Sequence, residues 1–114
     1  MTTLTLEVVK SPFNQPVTMW RLEPEKGEYV LGRSPTNDIV IVDPYASRKH
    51  ARIFYRDGKW YIEDLGSTNG TVVDGEPLEE GKPVELKDGS EIVVGLTVLR
   101  VKMGEEEEGE EESE

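Results

Sequence analysis

Three separated stretches carry the side chains able to do chemistry. The first is Leu31-Gly32-Arg33, and the second is Ser47-Arg48-Lys49-His50-Ala51. The third runs from Asp64 to Thr71 and reads Asp-Leu-Gly-Ser-Thr-Asn-Gly-Thr. Together they offer Arg33, Arg48 and Lys49 as cations, Ser47, Ser67 and Thr68 as hydroxyls, and Asn69 as an amide. That set suits a phosphomonoester, which carries about −1.5 to −2 charges near neutral pH and three acceptor oxygens. A guanidinium grips two of those oxygens at once with its planar fork. Hydroxyls held on rigid turns take the lone pairs left over.

Other chemistries fit the same residues poorly. Asp43, Ser47 and His50 are the residue types of a hydrolase triad, but Ser47 and His50 share one short loop with no evident oxyanion donors. Gly66-Ser67-Thr68-Asn69-Gly70 is a near miss to the nucleophile elbow, with threonine at its centre. The elbow also needs a helix to follow, whereas Thr71-Val72-Val73 is β-branched and reads as strand. A single histidine and no cysteine argue against a zinc site. No Walker loop is present. The chain is therefore expected to be a non-enzyme, without metal or cofactor.

The elements that would position these residues are short strands. Glycine (11) and proline (7) punctuate the chain densely, and runs rich in Val, Ile, Thr, Tyr and Trp lie between them. Strands are expected at 3–9, 17–22, 28–31, 38–42, 52–56, 59–64, 71–73, 84–86, 91–94 and 97–103. In the first, Leu4, Leu6 and Val8 share a face; in the last, Leu99, Val101 and Met103 do. Asp57-Gly58, Asn69-Gly70, Asp74-Gly75 and Asp88-Gly89 mark turns. Asn69-Gly70 between two strand-like runs predicts a hairpin whose type I′ turn holds both residues at positive φ. The segment from Tyr45 to Arg52 has fair helix propensity but reads as a structured loop running into a strand. Trp20, Trp60 and Tyr61 are expected to pack rather than to contact ligand. Many short strands at regular spacing make an all-β sandwich or barrel, and sandwich loops gather at its two ends.

The order Gly-Arg, then Ser-x-x-His, then Leu-Gly-Ser-Thr-Asn-Gly-Thr resembles the forkhead-associated (FHA) domain family. Asn37-Asp38-Ile39, Trp60 to Leu65, Asp74-Gly75 and the late Gly89, Ile92 and Gly95 agree with it. The likeness covers roughly residues 4–103. It implies a β-sandwich of about eleven strands in two antiparallel or mixed sheets, binding phosphothreonine peptides through loops at one end. Carried over by position, Arg33, Ser47 and Thr68 contact the phosphate, and Arg48 adds a more variable contact. Asn69 bonds the peptide backbone beside the phosphothreonine. Gly32, His50 and Gly70 support the site, with His50 bracing the loop that presents Ser47. Ser67, Lys49 and Tyr45 are further candidates; Ser67 either stabilises its own turn or joins the site. The loop Asp43-Pro44-Tyr45-Ala46 resembles the one that reads the third residue after the phosphothreonine. The implied role is a non-catalytic adaptor in Ser/Thr kinase signalling, with phosphothreonine-containing kinase substrates as partners. An alternative from another class is a structural sandwich that oligomerises through a sheet face without need of phosphate.

Bulk composition sets the outer bounds. The 114 residues suit one domain, taken here as 1–103 followed by an acidic tail over 104–114. Net charge is −11, but residues 105–114 hold eight glutamates, leaving 13 basic against 16 acidic residues in the body. Neither figure suits a nucleic-acid binder, whose affinity needs a basic footprint. No apolar run approaches the ~18 residues of a membrane span. The cysteine-free chain, without a signal-like N-terminus, is expected to be a cytoplasmic monomer. The tail is expected to be disordered, since it has nothing apolar to bury. Eight tethered anions also raise the idea that it screens the basic pocket.

Overall fold

Alternation of large apolar residues with polar ones decides the architecture. Leu4 and Leu6 of strand β1 (Thr2–Lys10) are fully buried, while Thr5 between them and Glu7 beyond are only partly covered. A computed structural model of the chain describes residues 1–105. After β1 come β2 (Met19–Leu22), β3 (Glu28–Gly32), β4 (Ile39–Val40), β5 (Ala51–Arg56) and β6 (Lys59–Asp64). Then follow β7 (Thr71–Val73), β8 (Glu76–Pro77), β9 (Val84–Glu85), β10 (Glu91–Val94) and β11 (Thr97–Glu105). The described residues contain no helix. The segment after Pro44 is a loop, as expected.

These eleven strands form a two-sheet sandwich. One sheet has the order β2-β1-β11-β10-β7-β8, the other β4-β3-β5-β6-β9. Every pairing is antiparallel except β3 with β4, so the second sheet is mixed. The inner faces meet in one core: Leu4, Leu6, Ile92, Leu99 and Val101 from the first sheet, Leu31, Ile53, Trp60 and Ile62 from the second. Each such side chain contributes about 1.5–3 kcal/mol by leaving water. Trp60 satisfies its indole N–H on the Thr2 carbonyl oxygen, 2.9 Å away, and packs edge-on against Tyr55. Packing is thus its role, as expected.

Two expectations about turns and ends need correction. Asn69-Gly70 does not make a hairpin. β6 and β7 lie in different sheets, and Asn69 has no positive φ. The loop between them crosses the end of the sandwich. The two-residue turns with both φ positive are instead Asp57-Gly58 (52° and 82°), joining β5 to β6, and Asp74-Gly75 (50° and 83°), joining β7 to β8. The last strand also runs past the expected boundary at Met103. Gly104 pairs with Thr3 and Glu105 with Thr2, so the first two residues assigned to the tail belong to the sheet. The rest of the tail lies outside the described residues.

Candidate functional site

The loops after β3, β4 and β6 converge at one end of the sandwich. Gly32, at the end of β3, lets two of them touch. A Cβ there would sit 2.3 Å from the Arg48 carbonyl oxygen and 2.7 Å from that of Ser47, so only glycine fits. Arg33 follows directly. Its backbone N–H donates to the Ser47 carbonyl at 2.9 Å, and its Nε donates to the Ala46 carbonyl at 3.0 Å. The side chain is therefore aimed, while both Nη groups have no partner among the described residues.

The loop from Asp43 to His50 is held from beneath. Asp43 is fully buried and caps it. One carboxylate oxygen accepts from the Tyr45 N–H; the other accepts from the Leu96 N–H and the Thr97 hydroxyl of the β10–β11 turn. His50, also fully buried, accepts the Ser47 N–H on Nδ1 at 2.9 Å. Its proton therefore sits on Nε2, which donates to the Gly70 carbonyl at 2.9 Å. One imidazole thus ties the Ser47 loop to the Thr68 loop. Burial is the largest influence on His50 and lowers its pKa from 6.5; the Gly70 bond and the carboxylates of Asp64 and Asp43 push back without reversing it.

The third loop is wound around Asp64. Its carboxylate accepts from the N–H groups of Gly66 and Ser67, from the Ser67 hydroxyl at 2.6 Å and from the Thr71 hydroxyl at 2.6 Å. Burial alone would raise its pKa, but these bonds outweigh burial and hold it below the ordinary carboxylate range. Of the two options for Ser67, its hydroxyl takes the structural one. Thr68 donates its N–H to Ser47 Oγ at 2.9 Å, and Asn69 donates Nδ2 to the Tyr45 carbonyl at 2.8 Å. Ser47 Oγ accepts there, which leaves its own proton free to donate outward.

What these loops enclose is a cavity of about 410 Å³ lined by Arg33, Pro44, Tyr45, Ala46, Ser47, Arg48, Thr68 and Asn69. Of the sequence candidates, it gathers Arg33, Ser47, Arg48, Thr68, Asn69 and Tyr45. Gly32, His50 and Gly70 lie in the support beneath. Lys49 does not line it; its ammonium bonds Asn37 Oδ1 at 2.9 Å, while Asn37 Nδ2 holds the Arg48 carbonyl. Pro44 lines the cavity, and Asp43 and Asp64 anchor its rim. Arg48 has no ionic or hydrogen-bonding partner for its guanidinium among the described residues. By contrast Arg52, Lys59, Lys87 and Arg100 all have carboxylate partners. Two arginines thus face one small cavity with no counter-anion among the described residues.

The same geometry dismantles the triad. His50 meets the backbone N–H of Ser47 rather than its hydroxyl, and Asp43 is turned to Leu96 and Thr97. The described residues contain no cluster of His, Cys, Asp or Glu that could hold a metal. They also contain no helix long and apolar enough to cross a membrane.

The buried supports make stability pH-dependent. The unfolded chain protonates His50 near 6.5, while the folded state resists protonation until lower pH. In that window the unfolded state binds more protons, so stability falls as pH drops below about 6.5. Asp64 adds the same sign further down, because a depressed carboxylate loses its contribution only as pH falls through the acid range. Urea unfolding at about pH 7.5 and about pH 5.5 is expected to show lower stability at the second value. Equal midpoints would contradict the neutral, buried state of His50.

Comparison with known proteins agrees with this architecture. The family model described as FHA domain matches residues 29–95. FhaB of Mycolicibacterium smegmatis, an FHA domain-containing protein, is 38% identical over 73 residues, covering 64% of this chain and 46% of FhaB. The chain thus spans about half the length of that curated relative. The solution structure of an Arabidopsis thaliana FHA domain superposes with a TM-score of 0.82 at 34% identity, covering 93% of this chain and 89% of that one. A domain solved in a study of phosphothreonine-dependent FHA interactions gives 0.75 at 26% identity, covering 90% and 98%. With its three loops, its two sheets and this match over more than half its length, the chain belongs to the FHA domain family.

Proposed function

We propose that this chain is a phosphothreonine-dependent peptide-binding module, a non-catalytic adaptor for substrates of a Ser/Thr kinase. The observation that carries this is the pair of guanidinium groups of Arg33 and Arg48, neither with a carboxylate partner among the described residues, beside the hydroxyls of Ser47 and Thr68 in one open cavity. Arg33 is locked through Nε, so its two Nη groups meet an incoming phosphate without further ordering. Ser47 has a proton to give, since its oxygen already accepts from Thr68. Asn69 keeps its carbonyl oxygen and second amide hydrogen for the peptide backbone. The phosphothreonine-dependent interactions of the related domain support the same ligand here.

Charge-assisted bonds contribute roughly 1.5–3 kcal/mol each, so three or four supply about 5–10 kcal/mol before ordering costs. Ordering an extended peptide leaves an affinity near micromolar, about −8 kcal/mol. Such binding is switched by the kinase, because an unmodified peptide gives Arg33 and Arg48 nothing to hold. The exposed ring of Tyr45 and the neighbouring Pro44 are placed to meet residues after the phosphothreonine. Residues 1–105 form the binding unit, which works as a monomer. A cytoplasmic setting is supported by the absence of cysteine and by a ligand made by ATP-dependent kinases.

The test is a phosphothreonine peptide library probed beside its unphosphorylated copy. Selective retention of phosphorylated members is expected. Equal retention of both would contradict the proposal.

A further inference from the structure

The sequence holds three asparagines, and only Asn69 is followed by glycine. Asn69 is exposed at the rim of the cavity, and no hydrogen bond among the described residues engages the Gly70 N–H. A Cβ on Gly70 would meet nothing within 4 Å, so the space around it is open. The other two asparagines are differently placed. Asn37 is followed by Asp38, is 9% exposed, and has both ends of its amide bonded, to the Arg48 carbonyl and to Lys49. Asn14 is followed by Gln15, whose side chain hinders the adjoining nitrogen.

We propose that Asn69 is a site of spontaneous deamidation that retires the binding pocket. In the first step the Gly70 backbone nitrogen, having lost its proton to solvent base, attacks Asn69 Cγ. A new C–N bond closes a five-membered succinimide, Nδ2 takes a proton from solvent as the Cγ–Nδ2 bond breaks, and ammonia leaves. Water then adds to either ring carbonyl and one ring C–N bond breaks. The products are aspartate or, when the chain continues through the side-chain carbonyl, isoaspartate. No oxidant or cofactor is consumed. Glycine at the second position is what exposes the attacking nitrogen, since it carries no side chain to crowd the ring.

Three consequences meet at the site. The bond from Asn69 Nδ2 to the Tyr45 carbonyl is lost with the leaving nitrogen, so the two loops it joins come apart. A carboxylate appears in the cavity lined by Arg33 and Arg48, where it competes with a phosphate for the same cations. In isoaspartate the backbone also gains a methylene within the loop. A bound peptide that engages the amide holds it still and slows ring closure. The loss of binding rests on the phosphothreonine reading; the deamidation itself does not.

The test incubates the full chain at mildly alkaline pH and physiological temperature, with and without a phosphothreonine peptide. Tryptic mapping follows the fragment that begins at Trp60, in which Asn69 is the sole asparagine. The mass gain of an amide-to-acid exchange is expected there first, ahead of the fragments holding Asn14 and Asn37, and more slowly with peptide bound. The separated acidic fraction is expected to bind the phosphothreonine peptide at least about tenfold more weakly than fresh protein, the loss of roughly one good contact. Conversion no faster than at Asn14, or unchanged affinity of the converted fraction, would overturn the proposal. If fresh protein fails to bind any phosphothreonine peptide, the functional reading falls and with it the consequence for binding, while the mass map still decides the chemistry at Asn69.

Discussion

Arg33→Ala is expected to abolish measurable binding of a phosphothreonine peptide and to leave the fold intact. Two charge-assisted bonds disappear at about 1.5–3 kcal/mol each, a loss of roughly two orders of magnitude or more. From a micromolar start this passes beyond calorimetric detection. Stability should barely change, because the residue is exposed and its guanidinium has a single bond among the described residues, Nε to the Ala46 carbonyl. That carbonyl can turn to water. The backbone bond from Arg33 to Ser47 survives the substitution, so the loop keeps its path. Lysine at the same position keeps the charge but not the fork, so partial recovery is expected. Undiminished affinity in Arg33→Ala would remove this residue from the site.

Asp64→Ala is expected to be the most damaging change to the scaffold of the site. The carboxylate is 5% exposed and gathers four donors, Gly66 N–H, Ser67 N–H, Ser67 Oγ and Thr71 Oγ1. Removing it orphans the fully buried Thr71 hydroxyl and releases the turn that carries Thr68 and Asn69. Orphaned buried donors cost about 1–3 kcal/mol apiece, and water recovers the ones near the surface, so a net loss of about 3 kcal/mol is expected. For a domain of this size that lowers the thermal midpoint by roughly 10–20 °C. Asp64→Asn keeps one acceptor oxygen and should lose about half as much. Differential scanning calorimetry distinguishes these outcomes. An unchanged midpoint in Asp64→Ala would show that the turn does not depend on its carboxylate.

Much of this was legible in the sequence, and the failures share one cause. Lys59–Asp64 reads correctly end to end because alternation, aromatic content and a flanking Asp-Gly all point the same way. The strand Glu76–Pro77 carries no such pattern: it has two residues, both exposed, one of them proline. Asn69-Gly70 was misread because a hairpin signal is local, whereas the choice of sheet for β7 is made by its pairing with β10. The three stretches with phosphate chemistry were visible as residue types. Which of their side chains would be used up internally was not. Ser67 looks like Ser47 in the sequence, yet one hydroxyl faces Asp64 and the other faces the cavity. Lys49 stands beside Arg48, yet it turns to Asn37. Those outcomes depend on Asp64 and Asn37, buried polar partners that are distant in the chain or look like ordinary turn residues.

The central claim is that one cavity at one end of the sandwich holds the phosphate. The most direct measurement is an amide NMR titration of the chain with a phosphothreonine peptide, run beside the same peptide unphosphorylated. The largest shifts are expected at Arg33, Ser47, Arg48, Thr68 and Asn69, only with the phosphorylated peptide. The far end, around Gly58, Lys87 and Met103, should stay still. Shifts centred on that far end or on a sheet face, or equal shifts with both peptides, would contradict the account.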